Sequence, residues 1–318
     1  MLSNLVFSLN ATMPLFIVMA VGYFIRRIKI VDEGFVKSAN RFNFKVTIPV
    51  LLFYDMATAD FKETFSLKFF LFCFISTTIL MFASWGACRL LMRKNKDCIA
   101  EFVQGCYRCS LAVSGMALVE RISGDTSMGG LMMLATVPIY NIFAVILLQV
   151  ESPDKEHHCD DHKLRDSFIG IAKNPIILSI LLGFIWSLTG LSFPTVIGSS
   201  LDMIKRIATP FALICIGIDF KFKEAFGKLG ISALASAFKL IIFPAIVLPI
   251  AILMGFRDNH LVTILVAFAS PATPVAYIMS KQYGFEGTII SSVVAITTLL
   301  SSFTMAALIF VLRTLGYI

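Results

Sequence analysis

Charge is scarce in this chain of 318 residues: 15% is Asp, Glu, Lys or Arg, against 58% hydrophobic residues and a mean hydropathy of +0.86. So little charge excludes an ordinary soluble domain, because a fold of this length cannot hide that much apolar surface from water. The signatures of most chemistry are missing too. There is no phosphate-binding loop, no dinucleotide fingerprint and nothing arranged like a catalytic triad. The four histidines fall in loops or at a helix end, which weighs against an intramembrane hydrolase. The seven cysteines follow no metal or disulfide spacing; Cys73, Cys88, Cys98, Cys106, Cys109 and Cys215 lie in or beside apolar runs, where a free thiol behaves as a small hydrophobe. The cluster EHHCDDH (156–162) has metal-ligand residue types but no metal-site spacing, and in a charged loop it reads as a solvated linker. No metal and no cofactor are expected. No segment reads as a signalling domain, which weighs against a sensor. The net charge of +7 needs no nucleic acid, since membrane proteins concentrate Lys and Arg in cytoplasmic loops. No Lys or Arg precedes the first apolar run, which reads as a retained helix rather than a cleaved signal.

What is present is a series of ten apolar windows, at about 5–25, 40–56, 67–91, 98–122, 127–148, 174–191, 197–218, 225–254, 260–283 and 287–315. The fold class expected is an all-α membrane protein of ten transmembrane helices. With the N-terminus outside, sixteen Lys and Arg fall in cytoplasmic loops and seven outside, so both termini are expected outside. A long polar stretch, 151–168, divides the chain into a first five-helix half (1–150) and a second (169–318), with the stretch itself a cytoplasmic linker. Five helices per half gives the halves opposite topology, as in many secondary transporters. Pro14, Gly22 and Pro49 are separated by 8 and 27 residues, and so are Pro175, Gly183 and Pro210. At nearly the same offset Ser110 meets Ser270, Ser114 meets Pro274 and Gly124 meets Gly284.

The ninth window carries SPATP in its middle, with Pro271 and Pro274 three residues apart. Proline removes a backbone donor and clashes with the preceding turn. Unwound backbone at membrane depth persists only where protein or a wet cavity satisfies it, and paired discontinuous helices mark transporter binding sites. A helix break at Pro271 and Pro274, matched by a softer one at Ser114–Gly115 in the fourth window, would bring two breaks together near mid-membrane. A simple proline kink is the alternative.

Four stretches resemble the auxin efflux carrier family, in its bacterial branch of small-carboxylate permeases: NRFNFKVTIPVLLF (40–53), GMALVERISG (115–124), FKLIIFP (238–244) and SPATPVAYIMSKQYG (270–284). The resemblance implies two inverted five-helix repeats, crossing broken helices four and nine, a dimerising scaffold and an elevator-like moving unit in a bacterial plasma membrane. The chain departs from the family pattern at Ala117, where a proline is common, and it lacks an Asn after Arg108.

Ionisable groups at membrane depth are functional suspects. Arg108, placed near the middle of the fourth helix and one turn before its break, either holds a substrate carboxylate bidentately or pairs with Glu101 or Asp55. Lys239 is a counter-ion or lines the cavity. Asn43 and Asn141 bond broken backbone or substrate. Half-helix N-termini near Ser114 and Thr273 offer N–H groups and a positive dipole end to an anion, with Ser110, Gly115 and Ser270 alongside. These features point to a secondary transporter of small organic anions, with a proton or sodium as the coupling ion. A sodium- or proton-coupled antiporter on a related crossover fold stands as the alternative. No deep carboxylate pair names a coupling residue.

Overall fold

The computed structural model describes residues 2–58, 65–91, 98–110, 119, 127–152 and 174–318. All secondary structure among them is helical: α1 (Leu2–Arg27), α2 (Glu33–Phe42), α3 (Ile48–Ala57), α4 (Leu67–Leu91), α5 (Ile99–Tyr107), α6 (Ser127–Val150), α7 (Pro175–Thr189), α8 (Thr195–Asp219), α9 (Phe222–Gly227), α10 (Leu229–Ala237), α11 (Phe243–Leu253), α12 (Asp258–Ala269), α13 (Val275–Gln282) and α14 (Thr288–Thr314). The metal-like cluster at 156–162 lies outside the described residues.

Local chemistry sets the helix ends. Asp32 caps α2, its carboxylate accepting the Phe35 N–H at 2.8 Å. Asn174 caps α7 through the Ile176 N–H at 2.9 Å, Pro175 occupies the first turn, and Gly190 closes the helix in a left-handed conformation (φ 69°). Two π-helical turns, Asn43–Thr47 and Phe238–Ile242, each stand immediately before a helix whose second residue is proline, Pro49 or Pro244. A proline gives no N–H to the carbonyl four residues back, and a widened turn re-routes that ladder without ending the helix.

Among the described residues four segments are long and apolar enough to cross a membrane: Leu67–Leu90, Met128–Val150, Leu229–Leu253 and Thr288–Thr314. Pro175–Thr189 and Asp258–Ala269 are apolar but shorter. Exposed Leu, Ile, Val and Phe side chains cover the outer faces of these helices, as lipid contact requires. One window differs from expectation: the eighth is divided, with α9 separate and the apolar span starting at Leu229. The ninth is split into α12 and α13 at the interruption expected from Pro271 and Pro274.

The helices pack in two groups. In one, α1 lies on α8, α3 on α7, and α8 on α3. In the other, α4 packs on α5 and α6, α10 on α14, and α11 on α12. The matched glycines mark close backbone approaches in the first group. A methyl group on Gly22 would run into the carbonyl oxygen of Ile214, and one on Gly183 into that of Phe53. Ile214 stands four residues after Pro210 and Phe53 four after Pro49, so both glycines meet backbone at the same step beyond a matched proline, each in the other half of the chain. The two groups meet where α1 also lies on α14, and a polar cluster links them as well. At the end of α8, Asp219 accepts the Tyr277 hydroxyl at 2.8 Å and pairs with Lys281 at 2.9 Å, both on α13.

Candidate functional site

Two helices stop inside the protein. α12 ends at Ala269, the chain runs extended at Ser270 (φ −70°, ψ 158°), and helix resumes at Val275, with Pro271 and Pro274 in the gap. α5 ends at Tyr107, and Arg108 takes nearly the same extended conformation (φ −72°, ψ 135°). The two non-helical segments meet: the Ser110 N–H donates to the Pro271 carbonyl at 2.9 Å. The Ala272 N–H donates to the Thr297 hydroxyl of α14 at 3.0 Å, so the second gap is also tied to its neighbour. This corrects the placement of Arg108, which is the first residue past a helix rather than mid-helix. The chain leaves helical geometry there because the backbone beyond it pairs across to Pro271. Ser114 and Gly115 lie outside the described residues.

Lys239 closes the arrangement from behind. Its ammonium lies 3.4 Å from the carbonyls of Tyr107 and Ala267, at the C-terminal ends of α5 and α12. Those ends carry unpaired carbonyls and partial negative charge, which a buried cation satisfies. At the restart of α13, the cap position falls on Pro274 rather than Thr273, and the Thr273 hydroxyl accepts the Val275 N–H at 3.4 Å from one residue further out.

Arg108 is 2% exposed and its partners are neutral. One guanidinium nitrogen lies 3.1 Å from the Gln104 side-chain oxygen and 2.9 Å from the Met279 sulfur; the other donates to Asn141 Oδ1 at 2.7 Å. Its Nε has no partner among the described residues. Neither anticipated carboxylate is available to it. Glu101 accepts the N–H groups of Gly287, Ile289 and Ile290 at 2.8, 2.9 and 3.0 Å, capping α14, and Asp55 pairs with Lys205 at 3.0 Å. No carboxylate contacts Arg108 among the described residues. A buried guanidinium without a counter-charge loses several kcal/mol of solvation, and an anion arriving beside it restores that loss.

A cavity of about 60 Å³ adjoins this arginine. Its wall includes Asp55 from α3, Arg108, Cys109 and Ser110 from the first break, Tyr140 and Asn141 from α6, Thr209 from α8, and Thr273 and Val275 from the second break. The cavity therefore gathers Arg108, Ser110, Asn141 and Thr273 of the residues expected at the site. Asn43, Lys239 and Ser270 are not on its wall. Asn43 donates to the Ala208 carbonyl at 3.1 Å and bonds with the Thr47 hydroxyl, tying α8 to the first π turn. The Ser270 hydroxyl is buried beside the second break without a partner among the described residues. Sequence reasoning missed Gln104, which accepts from Arg108 and donates to the Ser280 hydroxyl at 3.1 Å, linking α5 to α13. Its position one helical turn before Arg108 was the available signal. Tyr140 and Met279 carried none.

Comparison with known proteins points one way. A family model described as membrane transport protein matches residues 7–309. The uncharacterized transporter YfdV of Escherichia coli K12 is 20% identical over 288 residues, covering 88% of this chain and 89% of that one. A putative malonate transporter of Rhizobium meliloti is 24% identical over 315 residues, covering 95% and 94%. A probable auxin efflux carrier component 1b of Oryza sativa is 26% identical over 130 residues, covering 39% of this chain and 24% of that protein.

Proposed function

The chain belongs to the auxin efflux carrier family of membrane transport proteins, and on that premise we propose that it moves short-chain carboxylates across a bacterial plasma membrane as a secondary transporter. The observation that carries the substrate class is Arg108, a buried cation whose partners among the described residues are all neutral, on the wall of a cavity where two helices stop inside the protein. A cation so placed favours an anion, and a guanidinium fork matches a carboxylate. The cavity has room for about four water-sized spheres, the scale of an acid of a few carbons. The name of the Rhizobium relative, a putative malonate transporter, agrees in class.

The architecture of this reading is ten membrane helices in two inverted repeats, 1–150 and 169–318, joined by a cytoplasmic linker at 151–168, with both termini outside. The equivalent contacts of Gly22 and Gly183 and the meeting of the two breaks support it. The group built on α1, α3, α7 and α8 is the dimerising scaffold, and the group carrying the breaks slides against it as an elevator. The test is a thermal-shift screen of purified protein against carboxylates, amines and sugars. Stabilisation by short carboxylates alone is the expected result. A response confined to amines or sugars would sink the reading.

A further inference from the structure

The cavity has a second charged wall. Asp55 faces it from α3 with its side chain 9% exposed, paired with Lys205 of α8 at 3.0 Å. Lys205 is 23% exposed, lies 4.3 Å from the centre of the Tyr54 ring, and is 3.8 Å from Asp202, which bonds Arg206 at 2.6 Å. The other titratable groups around the cavity are Arg108 and Cys109 on the first break and Tyr140 on α6. Asp202 and Arg206 offset each other. What remains among the described residues is two cations, Arg108 and Lys205, and one carboxylate, Asp55: a net charge of one positive.

That count distinguishes substrates. A monocarboxylate neutralises the site by itself. A dicarboxylate dianion leaves one negative charge in excess, in a place where an unpaired charge is costly. We propose that Asp55 is the proton-coupling residue for dicarboxylates. It takes up one proton as the dianion binds and releases Lys205, which then holds the second carboxylate while Arg108 holds the first. Charge balances: a dianion and one proton enter, and two cations end facing two carboxylates. The inference rests on the carboxylate reading of the same cavity. It adds the class of substrate, the coupling ion and the residue that carries it.

The experiment is calorimetric titration of the purified protein with malonate, and with acetate as the single-charge control, between about pH 6.5 and 8.5, above the ordinary carboxyl range. Expected for wild type is a malonate Kd that rises about tenfold per pH unit, the slope of one linked proton, and an acetate Kd that does not change. Repeating each titration in buffers of different ionisation enthalpy counts the proton directly: one taken up per malonate, none per acetate. Asp55→Asn should bind malonate with no pH slope, and Lys205→Gln should lose most malonate affinity while keeping acetate. The proton count needs no variant, so a variant that fails to fold leaves the test standing. Malonate binding without proton uptake, or a slope that survives in Asp55→Asn, overturns the coupling role and leaves the carboxylate reading intact. Failure of both acids to bind at any pH overturns both.

Discussion

The two helices that stop inside the protein reach the same backbone geometry by different means. The gap between α12 and α13 holds two prolines, and Pro274 begins the restart at a position where a missing N–H costs nothing. The end of α5 has no proline among residues 108–110, and its departure from helix is fixed by contacts from elsewhere: Ser110 to the Pro271 carbonyl, Arg108 to Asn141, and Lys239 on the Tyr107 carbonyl. One break is written locally and the other is imposed by its neighbours. The imposed one carries the charge. On the proposed reading, Arg108 holds the substrate from a backbone whose position depends on the groups around it, whereas the proline gap is a fixed platform.

The sharpest way to probe this comparison is at Arg108. Arg108→Gln keeps a hydrogen-bonding side chain and removes the charge, and it should weaken carboxylate binding by about 2–5 kcal/mol. Titration calorimetry at equal folded fraction measures it, and undiminished affinity would place the anion elsewhere. Next is the local break. Pro274→Leu restores a donor and lets α13 extend back toward Ala269, and transport in reconstituted vesicles should fall on the order of 100-fold through misplacement of the cavity wall. Normal transport would mean that the cross-chain bond to Ser110, rather than proline, holds the second gap open. Glu101→Gln comes third. It leaves three N–H groups of α14 facing a weaker acceptor, and stability should drop by about 1.5–3 kcal/mol, read as a lower melting temperature. The smallest effect is at Glu286, beside that cap. A hydrogen bond from Lys228 at 2.5 Å, together with the lysine charge, holds its carboxyl below the usual carboxylate range. A depressed folded value contributes stability above the unfolded value, near 4.3, and loses it as pH falls through the folded one. Because Glu286 is 68% exposed, Glu286→Gln should cost under about 1 kcal/mol at pH 7, with the melting difference vanishing in acid.

This contrast also explains how much could be read beforehand. Proline announces itself, so the gap at SPATP was legible from residues alone. The matched Pro–Gly–Pro spacing pointed to positions that turned out to make equivalent contacts, because glycine at a helix crossing leaves a trace in the letters. Arg108 stood out as a deep cation. Its freedom from carboxylates among the described residues did not, because Glu101 finds its donors 186 residues or more away in sequence and Asp55 finds Lys205 at a distance of 150. Nothing local assigns those partners. The end of α5 was hidden for the same reason: its cause lies at Pro271, and Tyr107 itself is as good a helix residue as its neighbours.

The cluster of Asp219, Tyr277 and Lys281 has a consequence for speed. It bridges the two packed groups, so the proposed sliding of one past the other would have to break a charge pair and a hydroxyl bond and remake them on return. None of these three residues lines the Arg108 cavity. On the proposed mechanism, turnover number and affinity would therefore be set in different parts of the molecule. Loosening the cluster is a route to a faster carrier with unchanged selectivity, and tightening it to a slower one that still saturates at the same concentration.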